Sequence, residues 1–363
     1  MPEEPEALIA RVAQRREELS QKQVVAGFDG FIDSIQKVIL NYPENQQPEY
    51  FKTVGEFGNY ISGKQTGGLS LETEEIVKKI GGNVPIMANA MAGLGVKAHC
   101  IGAFGHPVID PVFVMMHPKT SLYSFANPGI TSALEFNDGK IMLAQMTALN
   151  NSNWEQVKQA APPEQMLKIF SESDLLCLLN WSEIRHASEI WDGLLQEVFP
   201  NLVRRKRMKI FFDFSDCSKY SNEKILGAIN QVKQFSNFGD VTLSLNRNEA
   251  SLVYQAIFSS ASDDLEIIGG RISEFINIET IIIHTASRSL AWRDSQIFRS
   301  ETFQLKDPQI STGAGDNFNA GFCIGQLLEL ETGESLTLAN LMAASYMLNG
   351  KSADWEQLQG TNK

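Results

Sequence analysis

Four short apolar segments in the second half of the chain restrict its fold more than any other feature. They are DLLCLLN at 174–180, KIFFDF at 209–214, VTLSLN at 241–246 and TIIIHT at 280–285. The segments between them have helical periodicity, as in EIWDGLLQEVFPNLV. Short apolar strands that alternate with helices predict a parallel sheet buried on both faces, and therefore an α/β fold.

Three of these strands end in a polar residue, namely Asn180, Asp213 and Asn246. In an open α/β sheet, ligands bind outside the carboxyl ends of the strands. Asn and Asp also begin turns, so each residue taken alone has an equally simple explanation. The repetition at three strand ends favours a binding site along this edge of the sheet.

The amino-terminal half predicts further elements. Residues 1–23 have the charged, amphipathic pattern of a helix, and the main domain is expected over 24–363. Its first strand, at 24–26, ends in Gly27. Turn-rich sequence indicates lid or insertion elements at about 34–69 and 106–150. Within the second of these, NPG and NDG turns separate SLYSF, TSALEF and KIMLAQM, which predicts a small antiparallel β lid.

Composition narrows the possible partners and locations. The chain has 31 Lys and Arg against 43 Asp and Glu, which gives a net charge of −12, so a nucleic acid or an anionic membrane would be repelled on average. No apolar stretch approaches the roughly 20 residues of a membrane span. The acidic amino terminus does not resemble an export signal. The four cysteines, Cys100, Cys177, Cys217 and Cys323, lie far apart in apolar surroundings, which predicts buried reduced thiols and a cytoplasmic protein.

The stretch ISTGAGDNFNAGFCIGQLLEL at 310–330 carries the clearest chemical signal. Gly313, Ala314 and Gly315 directly precede a helix, so their backbone N–H groups can converge at its positive end and bind an anion. Asp316 follows in the first turn. A carboxylate beside a bound phosphate suits a general base that takes the proton of an attacking hydroxyl. The alternative is that Asp316 only caps the helix.

This stretch resembles the carboxyl-terminal signature of the ribokinase-like (PfkB) carbohydrate and nucleoside kinases, D-T-x-G-A-G-D-x-F-x-x-G. Phe318 and Gly321 also match that pattern, Thr312 stands at its unspecified third position, and Ile310-Ser311 replaces its leading pair. The family's second signature is a pair of glycines followed by a helix of small residues that ends in Leu-Gly, and Gly81-Gly82 through Leu94-Gly95 resembles it at the same spacing. NRNE at 246–249 is similar to the family's N-x-x-E element, and TASRS at 285–289 stands where the family has its nucleotide loop, with Ser287 in place of glycine. Ile86 replaces the family's usual Asn.

The resemblance implies a three-layer α/β/α sandwich with a mostly parallel central sheet and a small β lid. It also implies Mg²⁺- and ATP-dependent phosphoryl transfer to a hydroxymethyl group of a sugar or related polyol, with a homodimer through the lid as a further expectation. The residues expected to contact the acceptor are Asp33, Asp29, Gly81, Gly82 and Asn83. Those expected on the nucleotide side are Asn246, Thr285, Thr312 and Asn340, with Glu249 holding magnesium through a water molecule.

Two other functions remain open at this point. A nucleoside kinase of the same family would use the same catalytic residues on a different acceptor. The departures at Ile86, Ser287 and Ile310 are compatible with a catalytically weak relative that only binds a ligand. A dinucleotide-dependent oxidoreductase has little support, because GFDGFID rather than GxGxxG follows the first strand.

Overall fold

The computed structural model describes residues 4–44, 46–64, 67–203, 207–303, 305 and 308–360. The first three positions of the predicted N-terminal helix, positions 45, 65 and 66 of the predicted insertion and the last three positions of the predicted main domain lie outside the described residues, as do 204–206, 304, 306 and 307.

The strands form two sheets. Their bounds are β1 Gln23–Gly27, β2 Phe31–Asn41, β3 Glu49–Tyr50, β4 Thr73–Gly81, β5 Lys97–Gly102, β6 Thr120–Ser124, β7 Gly129–Phe136, β8 Gly139–Gln145, β9 Leu175–Leu178, β10 Met208–Asp213, β11 Gly239–Asn246, β12 Thr280–His284, β13 Arg288–Arg293 and β14 Gln296–Glu301. The large sheet has the order β14-β13-β12-β11-β10-β9-β1-β5-β6. All strands from β12 to β6 run parallel, and only β13 runs in the opposite direction, so its pairings with β12 and β14 are antiparallel.

The remaining strands form the second sheet, called the small sheet below. Its order is β3-β2-β7-β8, and β4 also pairs with β2. The strand β2 follows β1 after only three residues, so the chain passes from the large sheet directly into the small one. The predicted NDG turn joins β7 to β8, with Phe136 opposite Gly139.

Helices cover both faces of the large sheet. They are α1 Pro5–Gln14, α2 Arg16–Ser20, α3 Val54–Ser62, α4 Asn83–Gly93, α5 Thr147–Asn150, α6 Trp154–Ala160, α7 Pro163–Glu172, α8 Ala187–Gly193, α9 Asn222–Phe235, α10 Arg247–Phe258, α11 Leu265–Ile276, α12 Ala314–Leu327, α13 Thr332–Asn349 and α14 Trp355–Gly360. Short 3₁₀ turns occupy Pro111–Met115, Trp181–Glu183 and Phe199–Asn201, and a π turn occupies Leu194–Val198.

Successive side chains along the strands of the large sheet lie on opposite faces and pack into two separate hydrophobic cores. On β10, Phe212 packs with helices such as α9, whereas Phe211 packs on the opposite face with α4, α12 and α13. On β9, Leu176 packs in the same core as Phe212, and Cys177 packs in the same core as Phe211. A sheet buried on both faces between two helical layers is a three-layer α/β/α sandwich, so the fold-class prediction is confirmed.

The four short apolar segments all form strands of the large sheet, as predicted. The segment at 120–124 differs from its prediction. It was expected in the β lid, but it pairs in parallel with β5 and belongs to the large sheet. Its predicted NPG turn therefore links the two sheets instead of closing a hairpin.

The strand at 73–81 was not predicted, because its first six residues are exposed and its sequence, TEEIVKKIG, lacks a clear apolar alternation. The N-terminal region forms two helices rather than one, and the break falls at Arg15. The side chains of Leu8, Ile9 and Val12 are buried in the core on the α12 and α13 side.

None of the helices within the described ranges combines the length and apolarity that crossing a membrane requires. The four cysteines are buried and free of disulfide bonds, as predicted.

Candidate active site

The carboxyl ends of the central strands meet the amino terminus of α12. Asp29 follows β1, Asn180 follows β9, and Asp213 and Asn246 end β10 and β11. The parallel register brings these four strand ends to one edge of the sheet. The predicted ligand edge is therefore also the edge at which the signature stretch begins its helix.

The turn before α12 depends on Gly313. This residue has φ 96°, and a Cβ atom built on it would lie 2.7 Å from the Tyr346 hydroxyl. That hydroxyl donates a 2.9 Å hydrogen bond to the carbonyl oxygen of Thr312 and so fixes the turn. A side chain at position 313 would meet both a strained backbone and a collision.

The backbone amide groups at the start of α12 are available to a ligand. Within the described residues, the amides of Gly315 and Asp316 have no acceptor, whereas the amide of Ala314 donates to the carbonyl of Ser311. A Cβ atom on Gly315 would meet only the ring of His284, at 3.7 Å. This open space and the unpaired amides at a helix amino terminus suit an anion.

Asp316 does not cap its helix. The N-cap position is Gly313, and no described residue donates a hydrogen bond to the Asp316 carboxylate. Its side chain is largely buried. Burial raises the pKa of Asp316 well above the usual carboxyl value, and the nearby charges of Asp213, Asp29 and Asp33 raise it further. A carboxylate with a raised pKa and a free lone pair is well placed to accept a proton.

Asp29 is completely buried and fully engaged with the protein. Its Oδ1 accepts from the Val84 amide at 2.8 Å, and its Oδ2 accepts from the Asn83 amide at 2.8 Å and from Asn180 Nδ2 at 2.6 Å. Desolvation nevertheless raises the pKa of Asp29 to about 6. A Cβ atom on Gly82 would lie 3.0 Å from Asp29 Oδ2, so this glycine makes room for the carboxylate. The geometry suits an anchor for the start of α4.

Asp33 lies on β2 in the small sheet, with its carboxylate against Gly81. A Cβ atom on Gly81 would lie 2.6 Å from Asp33 Oδ1. Directly across the sheet, Asp33 is paired with Lys79 on one side and Thr131 on the other. Burial raises the pKa of Asp33, whereas the charge of Lys79 and a hydrogen bond from Thr131 lower it. Of the two predicted acceptor carboxylates, Asp33 makes fewer contacts with the protein backbone.

Asp213 connects the sheet to α12 and α4. Its Oδ2 accepts a 2.6 Å hydrogen bond from Asn319 Nδ2, and its Oδ1 accepts from the Ser215 amide at 2.8 Å. The Ser215 hydroxyl in turn accepts a 2.9 Å hydrogen bond from Asn83 Nδ2. Burial raises the pKa of Asp213. The network fixes Asn83 near the predicted acceptor side.

A cavity of about 920 Å³ opens on the other side of α12's amino terminus. Among its lining residues are Gly315, His284, Thr285, Asn340, Ala343 and Met347. Thr285 Oγ1 accepts from the Arg288 amide at 3.0 Å, which fixes the loop after β12. Asn340 Nδ2 donates to the hydroxyls of Ser289 and Ser300, each at 3.0 Å. Two of the residues predicted to contact the nucleotide therefore line one cavity beside the glycine turn that precedes α12.

Asn246 and Glu249 contact each other at the start of α10. Glu249 Oε2 accepts from the Asn246 amide at 2.9 Å, Glu249 Oε1 accepts from Asn246 Nδ2 at 2.6 Å, and the Glu249 amide donates to Asn246 Oδ1 at 3.0 Å. This pair is a capping box. Burial and the charge of Asp213 raise the pKa of Glu249 well above its usual value.

The remaining predicted residue, Thr312, is exposed and directly precedes the turn at Gly313. Lys140 from β8 donates a hydrogen bond to Thr312 Oγ1. The structure thus places Asp33 on the small sheet, whereas Thr285 and Asn340 line the cavity beside the amino terminus of α12.

Sequence reasoning missed several residues at this site, namely His284, Asn319, Tyr346 and Lys140. A signal was available for His284, because it ends an otherwise apolar strand directly before Thr285. The ring of His284 stacks on Phe318 with 4.8 Å between centroids. Burial lowers the pKa of His284 to about 4, so its ring is neutral at pH 7.

Comparisons with known proteins identify the family of this chain. A family model for prokaryotic ketohexokinase matches residues 3–362. A protein from Haloferax volcanii named ketohexokinase is 25% identical over 364 residues, which cover 98% of this chain and 96% of that protein.

Solved structures share the fold at low identity. A ribokinase from Thermotoga maritima is 14% identical with a TM-score of 0.62, over 94% of this chain and 99% of that one. A ribokinase from Arabidopsis thaliana, solved with ribose and ATP, is 14% identical with a TM-score of 0.63 over the same shares. With a family model that matches nearly the whole chain, on a fold that carries the expected carboxylate and glycine turn, this chain belongs to the prokaryotic ketohexokinase family of carbohydrate kinases.

Proposed function

We propose that this kinase transfers the γ-phosphoryl group of ATP to a hydroxymethyl group of a ketohexose, in a reaction that requires Mg²⁺. The observation that carries the proposal is the position of Asp316. Its carboxylate has no hydrogen-bond partner among the described residues. Asp316 directly follows Gly315, which lines the 920 Å³ cavity, and it is close enough to Asp33 on the small sheet for the charge of Asp33 to raise its pKa. The family membership favours a ketohexose as the acceptor.

Asp316 would act as the general base. Its carboxylate takes the proton of the acceptor hydroxyl while that oxygen forms a bond to the γ-phosphorus, and the bond from phosphorus to the β–γ bridging oxygen breaks to release ADP. The raised pKa of Asp316 makes it a better proton acceptor than an exposed aspartate. The free amides of Gly315 and Asp316, in the turn that Gly313 and Ala314 open, would hold the phosphoryl oxygens.

The nucleotide would occupy the cavity. Its apolar wall at Ala343 and Met347 suits an adenine ring, and Thr285 and Asn340 offer polar groups nearby. Ala339, one turn before Ala343 on α13, packs against Gly321 rather than facing this cavity. ATP as the donor is also supported by the similar fold of the Arabidopsis ribokinase, which was solved with ATP.

The residues near Asn246 fit a magnesium ion held mainly by phosphate and water. Among the described residues, no group of three His, Cys, Asp or Glu side chains could hold a metal alone. Mg²⁺ commonly keeps several waters and binds one or two carboxylates together with substrate phosphates. Glu249 is engaged with Asn246 through both carboxylate oxygens, which suits an outer-sphere contact through water. When bound, the ion would neutralise phosphate charge.

The acceptor would lie under the small sheet. Asp33 offers acceptor oxygens to sugar hydroxyls, and Asn83 can both donate and accept. Asp29, Gly81 and Gly82 would shape this side of the site, with the glycines leaving space for the two carboxylates. We propose that the small sheet covers the acceptor as a lid and excludes water, which could otherwise receive the phosphoryl group.

A homodimer through the small sheet stays a prediction. Part of the outer face of that sheet is covered by α3, because Phe57 packs with Val38, Leu134 and Phe136. A dimer interface would therefore use the part of the sheet that α3 leaves uncovered.

The decisive experiment is an ATP-consumption assay coupled to product identification. Fructose and other ketohexoses, aldopentoses and nucleosides serve as acceptors, each with and without Mg²⁺. We expect ketohexose phosphorylation that disappears without the metal. Asp316→Asn should lower kcat by about 10²-fold or more with ATP affinity nearly unchanged. Preferred phosphorylation of a nucleoside would show that the acceptor is a nucleoside rather than a ketohexose. ATP binding without transfer to any acceptor would indicate a relative that only binds a ligand.

A further inference from the structure

The hairpin of β7 and β8 reaches from the small sheet to the turn at Gly313 that precedes α12, called the signature turn below. Lys140 is the second residue of β8, directly after the turn at Asn137-Asp138. Its ammonium group donates a hydrogen bond to the hydroxyl of Thr312, across 172 positions of sequence. Thr312 is the residue immediately before Gly313. The contact therefore brings a positive charge from the small sheet to the edge of the anion-binding turn.

The turn needs such a charge, because carboxylates surround it. Asp213, Asp29 and Asp33 are close enough to raise the pKa of Asp316, and Asp316 in turn contributes to the raised pKa of Glu249. A phosphoryl group brought to the Gly315 amide would add further negative charge to this cluster. Charge that develops on the phosphoryl oxygens during transfer is stabilised most effectively by fixed cations and N–H donors.

Two lysines project from the face of the small sheet that carries Asp33. Lys79 is the direct cross-strand partner of Asp33. Lys140 lies on the same face, since it is four residues from Ala144, the cross-strand partner of Thr131. The charge of each contributes to lowering the pKa of Asp33. Lys79 stands beside Asp33 and offsets its charge, whereas the ammonium group of Lys140 is bonded at the signature turn.

We propose that Lys140 is a further catalytic residue, whose ammonium group contacts an oxygen of the γ-phosphoryl group during transfer. An ammonium group has three N–H donors, so it can bind Thr312 and a phosphoryl oxygen together. The small sheet then does more than exclude water, because its position over the acceptor also supplies positive charge to the reacting group. This inference rests on the proposed function for the identity of the donor nucleotide.

The test compares Lys140→Met with Lys140→Arg and with Lys78→Met. Lys78 is exposed on β4 and projects from the opposite face of the small sheet, so its substitution removes the same charge away from the site. With the sugar that the wild-type protein phosphorylates, Lys140→Met should lower kcat by about 10²-fold and change the KM for the sugar little. Lys140→Arg should recover much of the loss, and Lys78→Met should behave as wild type.

A binding measurement separates this inference from the proposed function. The wild-type protein should bind the ATP analogue AMP-PNP more tightly than ADP, and Lys140→Met should reduce this preference by about tenfold, because a charge-assisted contact to the third phosphate is lost. Loss of the preference in a protein that phosphorylates no sugar would refute the proposed function and support the role of Lys140. Normal kcat and an unchanged preference in Lys140→Met, or equal losses in Lys78→Met, would overturn the role of Lys140.

Discussion

Asn180 Nδ2 donates a 2.6 Å hydrogen bond to Asp29 Oδ2, and so joins the carboxyl ends of the adjacent strands β1 and β9. Asn180 has a left-handed backbone with φ 57°, which turns its side chain toward the neighbouring strand end. Together with the amides of Asn83 and Val84, it gives Asp29 three donors inside the protein. Asp29 and Asp33, the two carboxylates predicted to contact the sugar, therefore differ in how extensively the protein itself binds them.

Asp29→Asn should destabilise the fold. The substituted amide would place an N–H donor against one of the present donors, so a buried hydrogen bond is lost and a polar group is left unpaired. The free energy of unfolding should fall by about 2 kcal/mol or more, measured by denaturant titration. An unchanged unfolding free energy combined with a raised KM for the sugar would contradict this role and make Asp29 an acceptor contact.

Asp33→Asn should act mainly on acceptor binding. Its carboxylate lies in the small sheet beside Lys79 and Thr131, and it is not bound to backbone amides at the start of α4 as Asp29 is. The KM for the sugar should rise by about 10- to 100-fold with the KM for ATP nearly unchanged, because a hydrogen bond to a charged group is lost on the acceptor side. A selective change in the KM for ATP would refute this assignment.

The activity should depend on pH through Asp316. A general base works in its deprotonated form, and burial raises the pKa of Asp316, so kcat/KM should rise with pH along an acidic limb that lies above the range of an exposed aspartate. Asp213→Asn removes the strongest neighbouring charge on Asp316 and should move this limb to lower pH. The measurement is a pH profile of kcat/KM for both proteins, and an unmoved limb would contradict the coupling of these carboxylates.

Gly313 and Gly315 offer a matched pair of substitutions. Gly315→Ala places its methyl group in open space toward the cavity, so the unfolding free energy should stay unchanged or rise slightly while kcat falls by about 10- to 100-fold. Gly313→Ala strains a backbone at φ 96° and meets the Tyr346 hydroxyl, so it should cost about 1–3 kcal/mol of stability. Normal turnover in Gly315→Ala would show that no phosphate approaches the turn.

The strands that pack on both faces were predictable, and the small sheet was predicted less well. Strands such as 209–214 are apolar because both faces are buried, so a continuous apolar run identifies them. The strand 73–81 has mostly exposed residues, and its pairing with β2 depends on backbone hydrogen bonds that leave no apolar pattern. The strand 120–124 carries a strand pattern that does not specify which sheet it joins, and it was assigned to the wrong one.

The parallel α/β sheet and the glycine turn that precedes Asp316 can be predicted from the amino-acid order, because burial periodicity and backbone conformation are encoded by residues close together in the chain. Which carboxylates come together depends instead on how the distant parts of the chain pack. The hydrogen bond between Asp213 and Asn319 spans 106 positions, and that between Lys140 and Thr312 spans 172. Such contacts depend on strand order and on the docking of two sheets, since a side chain's type fixes what it can bind but not which distant residue it meets.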